Sequence, residues 1–410
     1  MREPFICREL PPTAGLPLYW RDFFGPEGRP LEDGLVEFLG VPAVQLECSG
    51  TSGLVLAFEA LKRCSPRRTV VLPGYTCPLV PLAAARAGLQ IKLCDIRPDR
   101  FDFDLSHLSA ISNSETLCIV PTHLGGLTTL LPGVLEIARR VGAYVIEDAA
   151  QALGATWNGR PVGTFGDIGI YSLACGKGLT LYEGGVLVAR DESIRTLLRD
   201  ISRKEVLPHR WMEWLRLAQL FGYRLFYNPL GLWLTYGLPL RRWLKRGDPI
   251  RAVGDRFDED IPIHPLGAWR KEIGAAALER LPAALASQRE RARDRILQLS
   301  KIAGLRVIED LPEATGTWPF IMVLFDSASA CRRALSRLWP AGLGVTRLFV
   351  HPLTGYPQLE EIVPRASLPH AESFAARCLT ITNSPWLTEP EFQSIWEVLA
   401  DSAATPERRS

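Results

Sequence analysis

Between Glu47 and Ala189, short β-branched runs alternate with Ala- and Leu-rich stretches, which limits this region to βα units around a mostly parallel sheet. Strands are predicted over Thr69–Leu72, Gln90–Asp95, Leu117–Pro121, Tyr144–Glu147, Ile168–Ser172 and Gly185–Ala189. Apolar residues at three-and-four spacing predict helices over Gly53–Arg63, Leu79–Ala87, Gly133–Val141 and Glu192–Arg203. A second lobe starts near Trp269 with a long helix reaching about Ile302. Strands Leu305–Glu309 and Phe320–Phe325, a helix near Ala328–Leu338 and the segment Gly344–Phe349 follow. The 410 residues therefore divide into a large domain over 1–202, an insertion or linker over 203–262 and a small α/β domain over 263–410.

Composition removes several classes of function. An apolar share of 47% excludes disorder, and 47 bases against 45 acids leave no overall field to attract nucleic acid. Nine cysteines form no CxxC pair, so neither a zinc site nor a disulfide framework is expected, and a reducing cytoplasm fits. The opening Met1–Pro4 carries no secretory leader pattern. The run Arg289–Arg295 reads as a solvated helix face with acids and bases on neighbouring turns.

Segment Arg203–Arg246 differs from the rest. It holds nine Lys/Arg against two Glu, a local excess of +7, and nine of the 36 aromatic residues fall within Trp211–Trp243. Its longest uncharged run, Leu225–Leu240, is too short and too broken by Pro and Gly to span a bilayer. Either it lies on an anionic membrane surface, with Trp211, Trp214, Trp233 and Trp243 at the headgroups, or its aromatics pack on the protein's own lobes or a dimer partner and its bases are solvated.

Three motifs lie at predicted strand ends, where open α/β sheets place ligands. Cys48–Gly53 leads into a helix, so its small residues and free N–H groups make either a phosphate nest or a plain helix cap. Glu147-Asp148-Ala149-Ala150-Gln151 offers a carboxylate beside small residues, suited to a protonated ring nitrogen or to capping the next helix. Tyr171–Gly178 is not a P-loop, because Tyr171 and Gly178 stand where that motif needs Gly and Ser/Thr. Instead, Lys177 sits in an apolar, glycine-flanked turn that lowers its pKa and suits it to bond a carbonyl.

Together with Val70–Pro78, Trp269–Arg280 and Arg377–Trp386, these motifs resemble the DegT/DnrJ/StrS sugar aminotransferases, pyridoxal-phosphate enzymes of fold type I. The resemblance implies an α/β large domain with a mostly parallel sheet, a smaller C-terminal α/β domain and a homodimer. It makes Lys177 the lysine that carries pyridoxal 5'-phosphate and moves the substrate proton, and Asp148 the partner of the ring nitrogen. Gln151 is placed beside the ring hydroxyl, with Thr51, Ser52 and Ser172 on the phosphate. Lysine rather than histidine at 177 implies transamination rather than dehydration.

Relatives carry a ring-covering aromatic after the Thr of this motif, where this chain has Cys77, so Tyr75 is expected to stack instead. They also carry an Asn before the Trp269 helix that reaches the partner subunit's phosphate, where this chain has His264-Pro265-Leu266-Gly267, leaving Asn228 as the substitute. The implied reaction moves an amino group from an amino acid, glutamate by resemblance, to a nucleotide-linked keto-sugar in surface polysaccharide or amino-sugar biosynthesis. The rival reading is an inactive pyridoxal-phosphate fold serving as a binding or scaffolding protein at the inner membrane face.

Overall fold

The computed structural model describes residues 7–24, 28–255 and 261–405. Met1–Pro4 and the tail from residue 406 lie outside them. In chain order the strands are β1 (Gln45–Glu47), β2 (Thr69–Pro73), β3 (Gln90–Cys94), β4 (Thr116–Ile119), β5 (Tyr144–Asp148), β6 (Thr156–Trp157), β7 (Arg160–Pro161), β8 (Ile168–Ser172) and β9 (Gly185–Ala189). The C-terminal part adds β10 (Leu305–Val307), β11 (Ala314–Thr315), β12 (Phe320–Phe325), β13 (Val345–Thr346) and β14 (Cys378–Thr382).

Seven strands form one sheet in the order β1-β9-β8-β5-β4-β2-β3. Strands β3, β2, β4, β5 and β8 run parallel, and β9 is antiparallel to both of its neighbours, β8 and the edge strand β1. Every residue of β2, β4, β8 and β9 is buried, which is why they read as continuous apolar runs rather than alternating ones. The parallel arrangement puts the ends of β5 and β8 side by side. That juxtaposition brings Asp148 and Ser172 to one edge of the sheet.

A four-stranded antiparallel sheet, β10-β12-β14-β13, forms the core of the C-terminal lobe. The expected α/β architecture is therefore present, and the first C-terminal helix packs on the large lobe. The stretch from Trp269 to Ile302 is two helices, Ala268–Leu278 and Leu281–Leu299, because Pro282 at the second helix's start cannot continue a helical hydrogen-bond ladder. Ile273 and Ala277 of the first pack in the same apolar cluster as Leu31 and Leu181 of the large domain. Strand β11 also pairs with β6, joining the C-terminal lobe to a small sheet of the large one.

The basic run Arg289–Arg295 is a solvated face only in part: Glu290, Arg293 and Asp294 are exposed, whereas Arg289 and Arg295 turn to the protein. Arg289 donates to the carbonyls of Gly316 (2.8 Å) and Gly154 (2.7 Å), and Arg295 to Asn383 Oδ1 (2.8 Å) and the Leu387 carbonyl (3.0 Å). These guanidinium groups satisfy loop carbonyls that would otherwise be buried without partners.

The insertion folds as the helix Arg210–Phe226, the short helix Pro229–Leu232, a π-helical turn Trp233–Gly237 and the helix Leu238–Lys245. It packs on the protein through buried Leu217, Leu220, Tyr223 and Leu240, with polar contacts beside them. Glu213 accepts both Nε (2.6 Å) and Nη2 (2.6 Å) of the fully buried Arg270, Arg216 pairs with Glu183, and Arg224 lies over the Trp20 ring. Trp233 and Trp243 are half-buried, and Trp243 is covered by Arg246 and Arg251. Trp211 and Trp214 remain exposed, at 73% and 64%.

Candidate active site

A cavity of about 420 Å³ opens at the ends of β5 and β8 and reaches the C-terminal lobe. Thr51, Asp148, Gln151, Ser172 and Lys177 all line it. Its size is ordinary for a small-molecule or cofactor site.

Asp148 is 7% exposed, and its backbone is locked by bonds to Pro121 and His123. Its carboxylate accepts one hydrogen bond, from the Ala150 N–H at 3.1 Å, and forms no ion pair among the described residues. Burial pushes this carboxyl above the usual range, while the Ala150 N–H, Lys177 and His123 pull it down. A buried carboxylate so placed calls for a cationic partner.

Lys177 sits half-buried in a turn that Gly176 makes possible at φ +77. Burial lowers its pKa, opposed by Cys77, Asp148 and Cys175, so the neutral, nucleophilic amine is favoured relative to a solvated lysine. Gln151 accepts the Gly125 N–H at 2.8 Å through Oε1, which leaves its NH₂ to serve a ring substituent. Ser172 accepts the Ala174 N–H at 3.2 Å and keeps its own hydroxyl proton for a ligand.

The phosphate end is set by the start of the helix Gly50–Cys64. Ser49 and Ser52 form a reciprocal capping box: Ser49 Oγ accepts the Ser52 N–H at 2.9 Å, and Ser52 Oγ accepts the Ser49 N–H at 3.1 Å. The first-turn N–H groups of Gly50 and Thr51 are left to an anion. A side chain at Gly185 would collide with Ser49, so this glycine lets β9 approach the turn.

Ser52 is therefore a correction to the sequence reading. It is fully buried, its hydroxyl and N–H serve the cap, and Ser49, Gly50 and Thr51 line the cavity in its place. Tyr75 is another. It is 1% exposed, its hydroxyl bonds the Phe349 backbone at 3.2 Å, and its ring meets Phe349 and Phe374 edge-on away from the cavity. Cys77 lines the cavity instead, its thiol pushed up to about 12 by burial. Asn228 caps its own short helix, accepting the Gly231 N–H at 3.0 Å and donating to the Leu225 carbonyl at 2.8 Å.

The sequence reading missed His123, Arg347 and Asp255, which also line the cavity. His123 Nδ1 accepts the Thr129 N–H at 3.2 Å, which leaves Nε2 to carry the proton toward Glu147 at 3.2 Å. Glu147 in turn accepts the N–H groups of Gly163 (2.8 Å) and Phe165 (2.6 Å), so the acid beside Asp148 ties down a loop. The position of His123, just past the end of β4, was the available signal.

Asp255 accepts the Tyr356 hydroxyl at 2.6 Å and the Val350 N–H at 3.2 Å, yet burial raises its pKa to about 6. The native chain thus holds this proton more tightly than the unfolded one. Stability from the group is full below 3.8 and is lost as pH rises through about 6. Relative to Asp255→Asn, the wild type should gain up to about 3 kcal/mol on going from pH 7.5 to pH 4. Urea titrations of both proteins at the two pH values test this, and an unchanged difference would refute it.

The donor set fits pyridoxal phosphate: a lysine amine, an unpaired buried carboxylate and an anion cradle share one cavity. An α/β fold with such a site defines a class of cofactor-dependent transferases. The model of the DegT/DnrJ/EryC1/StrS aminotransferase family matches residues 16–225 and 270–400, and the chain belongs to that family. The unmatched interval contains the latter part of the insertion.

The chain is 34% identical over 178 residues to the UDP-N-acetyl-3-dehydro-alpha-D-glucosamine 3-aminotransferase of Acidithiobacillus ferrooxidans, covering 43% of this chain and 48% of that one. It is 31% identical over 194 residues to the GDP-perosamine synthase of Caulobacter vibrioides, covering 47% and 52%. The chain thus spans about half the length of the curated relatives it matches. The crystal structure of DesI with its TDP-sugar product shares the fold, with a TM-score of 0.75, 20% identity and coverage of 97% and 94%.

Proposed function

We propose that the protein is a pyridoxal-phosphate-dependent aminotransferase that moves an amino group from glutamate to a nucleotide-linked keto-sugar. The observation that carries this reading is the meeting of Lys177, Asp148 and the Gly50–Thr51 turn in one cavity. Relatives whose names specify nucleotide-sugar aminotransferases support the substrate class. A binding protein without turnover is disfavoured, because it would gain nothing from a desolvated amine beside a buried carboxylate.

Bound there, the cofactor supplies an electron sink for negative charge at the amino-bearing carbon of the donor. Asp148, as a carboxylate, would hold the ring nitrogen protonated. Ser172, Thr51 and the first-turn N–H groups would hold the phosphate, and Gln151 would orient the ring. Lys177 would hold the cofactor through its amine and, as the general base, would take the proton from the donor carbon and return it in the reverse half-reaction. Apolar walls at Leu54 and Phe320 exclude water from this transfer. Incubation with glutamate and a panel of keto-sugar nucleotides, following 2-oxoglutarate, tests the reading. Release of 2-oxoglutarate with no keto-sugar aminated would reject the acceptor class.

The working protein is proposed to be a cytoplasmic homodimer that touches an anionic bilayer through the insertion. No helix among the described residues is long and apolar enough to cross a membrane. Trp211, Trp214, Leu215 and Leu225 form an exposed stripe at helical spacing, continued by Leu230 and Leu234 and flanked by the exposed bases Arg210, Arg242 and Lys245. This stripe and these bases suit a headgroup boundary. The engaged Arg216, Arg224 and Arg241 are not part of it. Flotation with phosphatidylglycerol vesicles should be salt-sensitive and abolished in Trp211→Ala/Trp214→Ala; loss of the dimer with no flotation at any salt would assign the stripe to a second copy.

A further inference from the structure

The segment from Thr346 to Pro352 lines two cavities in succession. Thr346–Phe349 face the active site, while Arg347 and Val350–Pro352 line a second groove of about 970 Å³. This groove lies between the helix Leu238–Lys245 of the insertion and the helices Ala328–Leu338 and Pro369–Arg377 of the C-terminal lobe. Leu244, Leu335, Trp339, Val350 and Ala375 give it an apolar lining.

Its charged groups are of nearly one sign. Arg241, Lys245, Arg332 and Arg347 line it, against the single acid Glu372. Arg241 is engaged by Glu9 at 2.7 Å, and Arg347 donates to the Ala375 carbonyl at 2.7 Å. Lys245 and Arg332 have no ion pair among the described residues, and both are exposed. Trp339 is 8% exposed, and its indole N–H has no hydrogen-bond partner among the described residues. A buried donor of this kind is costly unless a ligand accepts from it.

We propose that this groove binds an apolar chain ending in a phosphate, a membrane lipid of the prenyl-phosphate type. The bases complement the phosphate, and the apolar lining takes the chain. The helix Leu238–Lys245 links the groove to the bilayer stripe: Leu238 is exposed beside Leu234, while Arg241, Leu244 and Lys245 line the groove. The inference goes beyond the transamination reading and does not depend on it.

Calorimetric titration of the holoenzyme with farnesyl phosphate, farnesol, inorganic phosphate and uridine diphosphate tests the assignment. Farnesyl phosphate, below its micellar concentration, should bind saturably and at least about tenfold more tightly than the other three. Lys245→Glu/Arg332→Glu should weaken it by at least about tenfold, and Ser336→Trp, an exposed position lining the groove, should abolish it. Cofactor absorption and the glutamate half-reaction should be unchanged in these variants, which separates failure of the groove from failure of the active site. Absence of saturable binding, equal binding by inorganic phosphate, tighter binding by uridine diphosphate or indifference to both variants would each overturn the proposal.

Discussion

Lys177→Ala is expected to fold, to lose the visible absorption of covalently held cofactor and to lose transamination by at least about 10²- to 10⁴-fold, the range contributed by a positioned general base. The loss should exceed that of any other single substitution in the cavity, since Lys177 both holds the cofactor and moves the proton. No other described residue lining the cavity carries a primary amine. Added methylamine should recover part of the half-reaction rate by supplying the missing base. A variant with the wild-type spectrum would show that another residue carries the cofactor.

Asp148→Asn should retain cofactor through the phosphate cradle yet slow the glutamate half-reaction by about 10²- to 10³-fold, the scale of losing one preorganised electrostatic partner. An amide of the same shape can still contact the ring nitrogen, but it cannot stabilise its positive charge. Burial matters here: the 7% exposed position leaves little water to screen the interaction. Stopped-flow absorbance with glutamate measures the step, and equal rates in variant and wild type would remove Asp148 from this role.

The parallel sheet was legible because fully buried strands must be apolar and β-branched along their whole length. Ile168–Ser172 and Gly185–Ala189 coincide with β8 and β9, and Phe320–Phe325 with β12. Strand β14 was not read as a strand, although it lies inside its sheet between β12 and β13, because Cys378-Leu379-Thr380-Ile381-Thr382 mixes polar and apolar residues. Its threonines are nonetheless buried, with Thr380 donating to the Thr346 carbonyl at 3.3 Å.

At the site, motif residues were legible where function and local backbone demand the same thing, as at Asp148 and Lys177. Ser52 shows the opposite case: a serine at the third position of a helix can either face a ligand or close a capping box, and only the backbone at Ser49 decides. Tyr75 was misjudged because its direction is set by Phe349 and Phe374, nearly three hundred residues away in the chain. Arg347 and Asp255 reach the cavity through tertiary packing alone, so no local spacing could reveal them.

The insertion illustrates how composition misleads about direction. Its +7 excess does not show which bases are free: Arg216 pairs with Glu183 and Arg241 with the buried Glu9. The helix Arg210–Phe226 buries Leu217, Leu220 and Tyr223 on one side and leaves Trp211, Trp214, Leu215 and Leu225 exposed on another, so it carries more apolar surface than its own packing uses.

The central claim is that Lys177 holds the cofactor in the cavity beside Asp148. Reducing the holoprotein with borohydride and mapping its peptides by mass spectrometry tests it most directly. The account predicts one pyridoxyl-phosphate adduct, on Lys177, and none when glutamate is added before the reductant. An adduct on any other lysine, or an unmodified Lys177 in protein that contains cofactor, would contradict it.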